Sequence, residues 1–172
     1  MKKCICALLA LSLLLPTGVL LTGCGRAEPS QDTLSVQLDG EDVPVFLHSR
    51  FYTETNDVWV NFPIYSELED AAPTVAPGEH MVAIDCSACG FPDIIDAGGY
   101  RGGVADEDGF EVSYGGLDIN SCRKSEDLFS MRFTAAEPVY ADEMLIASFT
   151  MKWESIRGIQ EVMLYVGCFV EA

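Results

Sequence analysis

The residues that decide the fold lie near the C-terminus: Leu145-Ile146-Ala147-Ser148-Phe149-Thr150-Met151-Lys152-Trp153, then Val162-Met163-Leu164-Tyr165-Val166-Gly167-Cys168-Phe169-Val170. In the first segment Leu145, Ala147, Phe149, Met151 and Trp153 recur at every second position, which is the period of a strand and not of a helix. Val162, Leu164, Val166, Cys168 and Val170 repeat that spacing in the second segment. There Met163, Tyr165 and Phe169 make the opposite face apolar too. A strand apolar on both sides reads as central, or covered on both faces. Glu154 to Gln160, between the two, reads as a turn.

Working outward, the same period recurs. Phe129, Met131 and Phe133 alternate with Ser130 and Arg132, and Phe110, Val112 and Tyr114 share a face after an Asp108-Gly109 turn. His80 to Asp85 is an apolar run. Val58, Val60, Phe62 and Ile64 form one face of a further strand with Trp59, Asn61 and Tyr65 on the other, and Pro63 marks an edge or a bulge. Leu34, Val36 and Leu38 alternate with polar residues. Asp39-Gly40 then turns the chain, and Val43 to Ser49 reads as the hairpin partner. Ser66 to Ala72 reads as a short helical turn before Pro73, and Gly98 to Gly103 as a glycine-rich loop. About eight short strands with no long helix predict an all-β, antiparallel β-sandwich, immunoglobulin-like or jelly-roll-like, as a single domain over residues 33–172.

The chain has 172 residues, of which 49% are hydrophobic, too apolar for a disordered polymer. Ten Lys+Arg stand against 27 Asp+Glu, a formal charge of -17. No basic cluster follows Lys3, so nucleic acid is not an expected partner, because phosphate neutralisation needs such clusters. The acids fall in short groups, Asp39 to Asp42, Glu67 to Asp70, Asp106 to Glu111 and Glu137 to Glu143, a spacing that reads as solvated surface.

The N-terminus reads MKKCICALLALSLLLPTGVLLTGC. Lys2 and Lys3 precede an apolar run, then Pro16 and small residues, the order of an export signal. Leu21-Thr22-Gly23-Cys24 resembles the lipobox of bacterial lipoproteins. That resemblance implies a signal peptide over residues 1–23, a diacylglycerol on the Cys24 thiol, and an extracytoplasmic protein anchored in the membrane by lipid. Two acyl chains hold a protein where one would not, each buried CH₂ contributing about 0.8 kcal/mol. The alternative is an uncleaved transmembrane helix, but Pro16, Thr17 and Gly18 interrupt the run. Cleavage before Cys24 removes 23 residues including both N-terminal lysines. It leaves 149 residues with 8 basic and 27 acidic side chains, a formal charge of -19. Such a surface repels anionic headgroups, so the acyl chains must do the anchoring. Residues 24–32 read as the lipidated cysteine and a short tether, GRAEPSQD spanning about 15 Å. Farther on, the region 129–170, above all Leu145 to Lys152, is similar to the closing strands of cohesin-like and immunoglobulin-like sandwiches. This implies a fold class and no partner.

Four cysteines remain in the exported body: Cys86, Cys89, Cys122 and Cys168. An even number outside the cytoplasm predicts two disulfides, and four cysteines allow three pairings among which the sequence does not choose. Cys86-Ser87-Ala88-Cys89 also suggests thiol exchange. That chemistry needs a helix N-terminus to lower the first thiol's pKa, and Gly90-Phe91-Pro92 leaves no room for one. A zinc site from the same thiolates is a third reading, weakened because zinc ribbons use two close pairs.

Other motifs weigh less. Asp106, Asp108 and Glu111 lie in an acidic turn with a loose likeness to a calcium loop. Placing Gly109 at the sixth position puts Val104 first and Gly115 twelfth, so the EF-hand pattern fails. The glycine run lacks G-x-G-x-x-G, and neither G-x-S-x-G nor H-E-x-x-H occurs. His48 and His80 are the only imidazoles and read as surface residues. The richest binding cue is aromatic: Phe46, Phe51, Tyr52, Trp59, Phe62 and Tyr65 within twenty residues. Trp59, Tyr65 and Tyr52 would stack on a carbohydrate or anchor a protein ligand, unless both faces of their strand are covered. The expectation is a lipid-anchored, non-catalytic binding module needing no cofactor. The rivals are a thiol-active or metal-binding envelope protein, and a structural subunit of an envelope complex.

Overall fold

The computed structural model describes residues 27–52, 64–105 and 110–172. Its organising unit is the C-terminal hairpin of β10 (Met144–Ser155) and β11 (Gly158–Val170), paired from Met144 opposite Phe169 to Ser155 opposite Gly158. The connecting turn is only Ile156-Arg157, shorter than the sequence suggests, because both strands keep pairing to their ends. Around it stands a sheet in the order β3-β11-β10-β6-β7, with β3 at Phe46–Tyr52, β6 at Ile94–Ala105 and β7 at Phe110–Gly116. A two-residue strand, β4 (Thr74–Val75), runs parallel to the end of β11. The second sheet has the order β2-β1-β5-β9-β8: β1 is Ser35–Leu38, β2 Glu41–Asp42, β5 Gly78–Asp85, β8 Asp118–Ser125 and β9 Leu128–Ala135. The two sheets pack as an all-β sandwich.

The alternation read from the sequence is what fills the core. Leu145, Ala147, Phe149 and Met151 point inward from β10, Val162, Leu164, Val166 and Cys168 from β11. They meet Val36, Leu38, Val82, Ile84, Phe129, Met131 and Phe133 of the other sheet. Phe129 and Phe149 close that contact edge to face, with ring centroids 6.0 Å apart. The opposite face of β11 is covered as its apolar pattern requires. The single helix of the described residues, α1 (Ile64–Leu68), lays Tyr65 against Phe169 of β11, and Tyr65 and Leu68 join Met144 and Ile146 of the neighbouring β10 in one cluster, against which Tyr165 and Phe169 also pack.

Several expectations change. Residues 43–49 are not the hairpin partner of β1: Glu41-Asp42 returns beside it, with a last hydrogen bond from the Val43 amide to the Val36 carbonyl at 3.2 Å, and the chain then crosses so that Phe46–Tyr52 pairs with β11. Asp39-Gly40 does turn the chain, both residues at positive φ (53° and 91°). The strand read over 58–65 lies mostly outside the described residues, and its last two residues, Ile64 and Tyr65, open α1. The glycine-rich segment 98–103 is not a loop but the middle of β6. It is paired on one side to β10 and on the other to β7, with a register shift at Arg101/Gly102. Its backbone groups are satisfied by two neighbours, so side chains are not what holds it. β8 was not legible in the sequence at all: it is an edge strand exposed along most of its length, with no apolar alternation to betray it. Finally, hydrogen bonds are already present ahead of Thr33. Ser30 accepts backbone hydrogen bonds from Thr33 and Leu34 (3.1 and 3.0 Å), and the Thr33 hydroxyl donates to the Glu28 carbonyl at 2.9 Å.

Candidate functional site

The sequence-derived candidates do not converge. Cys24, Trp59, Asp106 and Asp108 lie outside the described residues. Tyr52 ends β3 opposite Ile159, and Glu111 stands in β7 opposite Val104. Tyr65 is not a ligand platform. It is 4% exposed, its hydroxyl donates to the Asp142 carbonyl at 2.9 Å, and its ring meets Phe169 edge to face. The period-2 reading put it on an outward strand face, whereas α1 turns it onto the sheet. His80 is more enclosed than a surface histidine. Nδ1 lies 2.6 Å from Asp39 Oδ2 and Nε2 lies 2.7 Å from the Ala76 carbonyl. Burial pulls the imidazole pKa down, but those two acceptors outweigh it and raise it overall.

What the fold does assemble is a cleft of about 700 Å³ at one end of the sandwich. Its walls include Phe51 from the end of β3, Trp153 and Glu154 from the end of β10, Arg157 and Gln160 across the turn, Asp93 before β6, and Cys89. Phe51 is 57% exposed, the ring of a strand-end residue with solvent on one side. The half-buried Trp153 is held in place: its indole N–H donates to the Gly90 carbonyl at 2.7 Å. Asp93 is held as well, one carboxylate oxygen accepting the Glu154 amide at 2.7 Å and its own amide donating to Lys152 at 2.8 Å. Ala27, Glu28 and Pro29 line the same cleft. A smaller groove of about 410 Å³ lies beside β1 and β2, lined by Asp85, Ser87 and Ala88 among others. The Cys86–Cys89 turn thus forms a wall shared by both. Of this cleft, sequence reasoning named Cys89 as a cysteine candidate and listed Phe51 among the aromatic residues. Trp153 reads as one more residue of a strand face, and nothing local to it signals a cleft.

The cysteines fall into separate places. Cys86, Cys122 and Cys168 are unbridged in this structure. Cys86 and Cys89 are buried at the cleft end, and Cys122 is exposed on β8. Trp153 pairs with Gln160 while Leu145 pairs with Cys168, so eight residues of strand, about 26 Å, separate Cys168 from the cleft end. A four-thiolate zinc site is therefore not available. Among the described residues no three His, Cys, Asp or Glu side chains are arranged to hold a metal ion. Burial first, then the neighbouring Cys89 thiol and the carboxylates of Asp85 and Asp127, push the Cys86 thiol up to about 12. A thiol-exchange nucleophile needs the reverse, a lowered pKa and solvent access. No helix follows the pair: the turn leads directly into β6.

No protein-family model matches this sequence, and no curated protein matches it. The case for a function therefore rests on the site.

Proposed function

We propose that this chain is an exported lipoprotein, anchored through a diacylglycerol on Cys24, whose β-sandwich is a non-catalytic module that binds carbohydrate in the cleft between Phe51 and Trp153. The observation that carries the reading is the pairing, in one concave site, of an exposed aromatic ring and a fixed indole with a polar rim of Asp93, Glu154, Arg157 and Gln160. A sugar ring offers one apolar C–H face and a girdle of hydroxyls. The aromatic walls suit the first, and the rim supplies donors and acceptors for the second. Ala27, three residues after Cys24, lines the same cleft, so on this reading the opening lies close to the membrane surface. The buried, weakly acidic Cys86 thiol counts against the thiol-active alternative.

The test is a glycan array probed with the exported protein, followed by titration of tryptophan emission with any sugar retained. Binding that is lost in Phe51→Ala and accompanied by a change in Trp153 emission is the expected result. Retention of a protein and of no glycan would replace the carbohydrate reading with a protein-binding one, and capture of neither would remove it. The anchor is tested separately. The wild type should incorporate a palmitate analogue and Cys24→Ala should not. An unlabelled wild type recovered in the cytosol with residues 1–23 intact would end the lipoprotein reading.

A further inference from the structure

The turn Cys86-Ser87-Ala88-Cys89 has a defined geometry. The Cys89 amide donates to the Cys86 carbonyl at 3.1 Å, closing a four-residue reverse turn. Such a turn brings its first and last Cα within about 7 Å, against the 4.4–6.8 Å usual for a disulfide. Both side chains enter the same buried cluster, at 0% and 1% exposure, so they leave the turn on the same side. The turn is held from outside. The Cys86 amide donates to the Asp127 carbonyl at 2.8 Å, the Ser87 amide donates to Asp85 Oδ1 at 2.8 Å, and Gly90 ends it at a φ of 77°.

The same frame excludes the other partners. Cys168 is at the far end of the sandwich. Cys122 stands opposite Met131, which stands opposite Val82. That is four residues along β5 from Cys86 and two strands across, about 16 Å. Of the three pairings open to the sequence, the two that join Cys86 to a later segment fail on distance. Exposed Cys122 and buried Cys168 lie on different sheets.

We infer that Cys86 and Cys89 close a disulfide in the exported protein, and that this bridge stiffens the wall shared by the two clefts. The step is dithiol–disulfide exchange with a small disulfide donor. Both S–H bonds break and one S–S bond forms. The two electrons and two protons pass to the donor, whose own S–S bond becomes two thiols. The buried sulfurs cannot meet a donor while the turn is closed, so exchange is slow in the folded chain, faster when the end of β5 opens, and the finished bridge resists reduction. The bridge bears on the larger cleft because Gly90, directly after Cys89, carries the carbonyl that receives the Trp153 indole. This inference does not depend on the ligand, and it is tested on purified protein, so its failure is distinguishable from failure of the carbohydrate reading.

The experiment is a peptide map of the full exported chain purified without reductant, with remaining thiols alkylated in denaturant before trypsin digestion. Cleavage after Arg50 and Arg101 yields a peptide, 51–101, in which Cys86 and Cys89 are the only cysteines. Cys122 and Cys168 fall in the separate peptides 102–123 and 158–172. The expected map has 51–101 unalkylated and lighter by two hydrogens, with the other two alkylated. A doubly alkylated 51–101, or a cross-link from it to either later peptide, would overturn the assignment. Reduction of the bridged protein should then shift tryptophan emission, and the shift should vanish in Trp153→Phe. Emission indifferent to reduction would overturn the role given to the wall.

Discussion

The glycine run of β6 makes the sharpest quantitative prediction, because neighbouring glycines in one strand face different surroundings. A Cβ at Gly99 would stand 2.6 Å from the Ile146 carbonyl oxygen, 2.6 Å from Leu117 Cδ2 and 3.0 Å from Leu117 Cβ. Neither neighbour can step aside. Ile146 is backbone in the β6–β10 ladder, next to Tyr100 in register, and Leu117 is buried. Gly99→Ala should therefore cost at the upper end of overpacking, about 3 kcal/mol. Against this, alanine restricts the unfolded chain, which returns about 0.4–1 kcal/mol. The net loss of about 2 kcal/mol would lower the melting temperature by about 4–8 °C in a domain of this size. Gly98→Ala meets only Ser148 Oγ at 3.4 Å, and Gly116→Ala meets nothing within 4 Å, so both should match the wild type within about 0.5 kcal/mol. Urea unfolding followed by tryptophan emission, with thermal melts followed by circular dichroism, separates the three. If Gly99→Ala proves as stable as Gly98→Ala, the close approach of Leu117 and the Ile146 carbonyl to β6 is wrong.

Three further outcomes follow from the side-chain chemistry. Glu161 is 2% exposed and lies 2.6 Å from Arg50 and 3.1 Å from Lys152. Burial raises its carboxyl pKa, but the two cations outweigh burial and lower it from 4.5, so its contribution is present above about pH 4.5 and is lost as pH falls through the folded value. Glu161→Gln should flatten stability in that acid window, and Glu161→Ala should cost about 2 kcal/mol, discounted because both cations are partly exposed. His80 behaves oppositely. Its pKa is raised from 6.5, so the stability from its two hydrogen bonds is complete below about pH 6.5 and fades as pH rises through the folded value. The wild type should lose stability relative to Asp39→Asn as pH rises above about 6.5, and parallel curves would refute the Asp39–His80 pairing. Alkylation of the reduced, folded protein near pH 8 should modify exposed Cys122 first. Buried Cys168, its thiol raised to about 12 by burial, should react only on unfolding, as should Cys86. Simultaneous modification of all three would contradict the burial described.

By itself the sequence determined the class of fold. Leu145 to Trp153, Val162 to Val170 and Phe129 to Phe133 carry their apolar residues at period 2, and burying such faces requires packed sheets whatever the rest of the chain does. The two-sided apolarity of β11 likewise announced its cover. What the sequence could not determine is anything set by which strand lies beside which. The glycine-rich residues 98–103 look like a loop when propensity is considered alone, but two flanking strands satisfy their backbone. β8, an exposed edge strand with few buried side chains, leaves no pattern to read. Tyr65 and His80 are misread because their enclosure comes from contacts made across long stretches of chain, Tyr65 with Asp142 and Phe169, His80 with Asp39. The cleft is the plainest case: Phe51, Asp93 and Trp153 are far apart in sequence, and only the pairing of β3 with β11, of β11 with β10 and of β10 with β6 brings them to one end of the sandwich. Periodicity is local, so it survives in the sequence. A site assembled from the ends of several strands depends on register and sheet order, which only the tertiary structure decides.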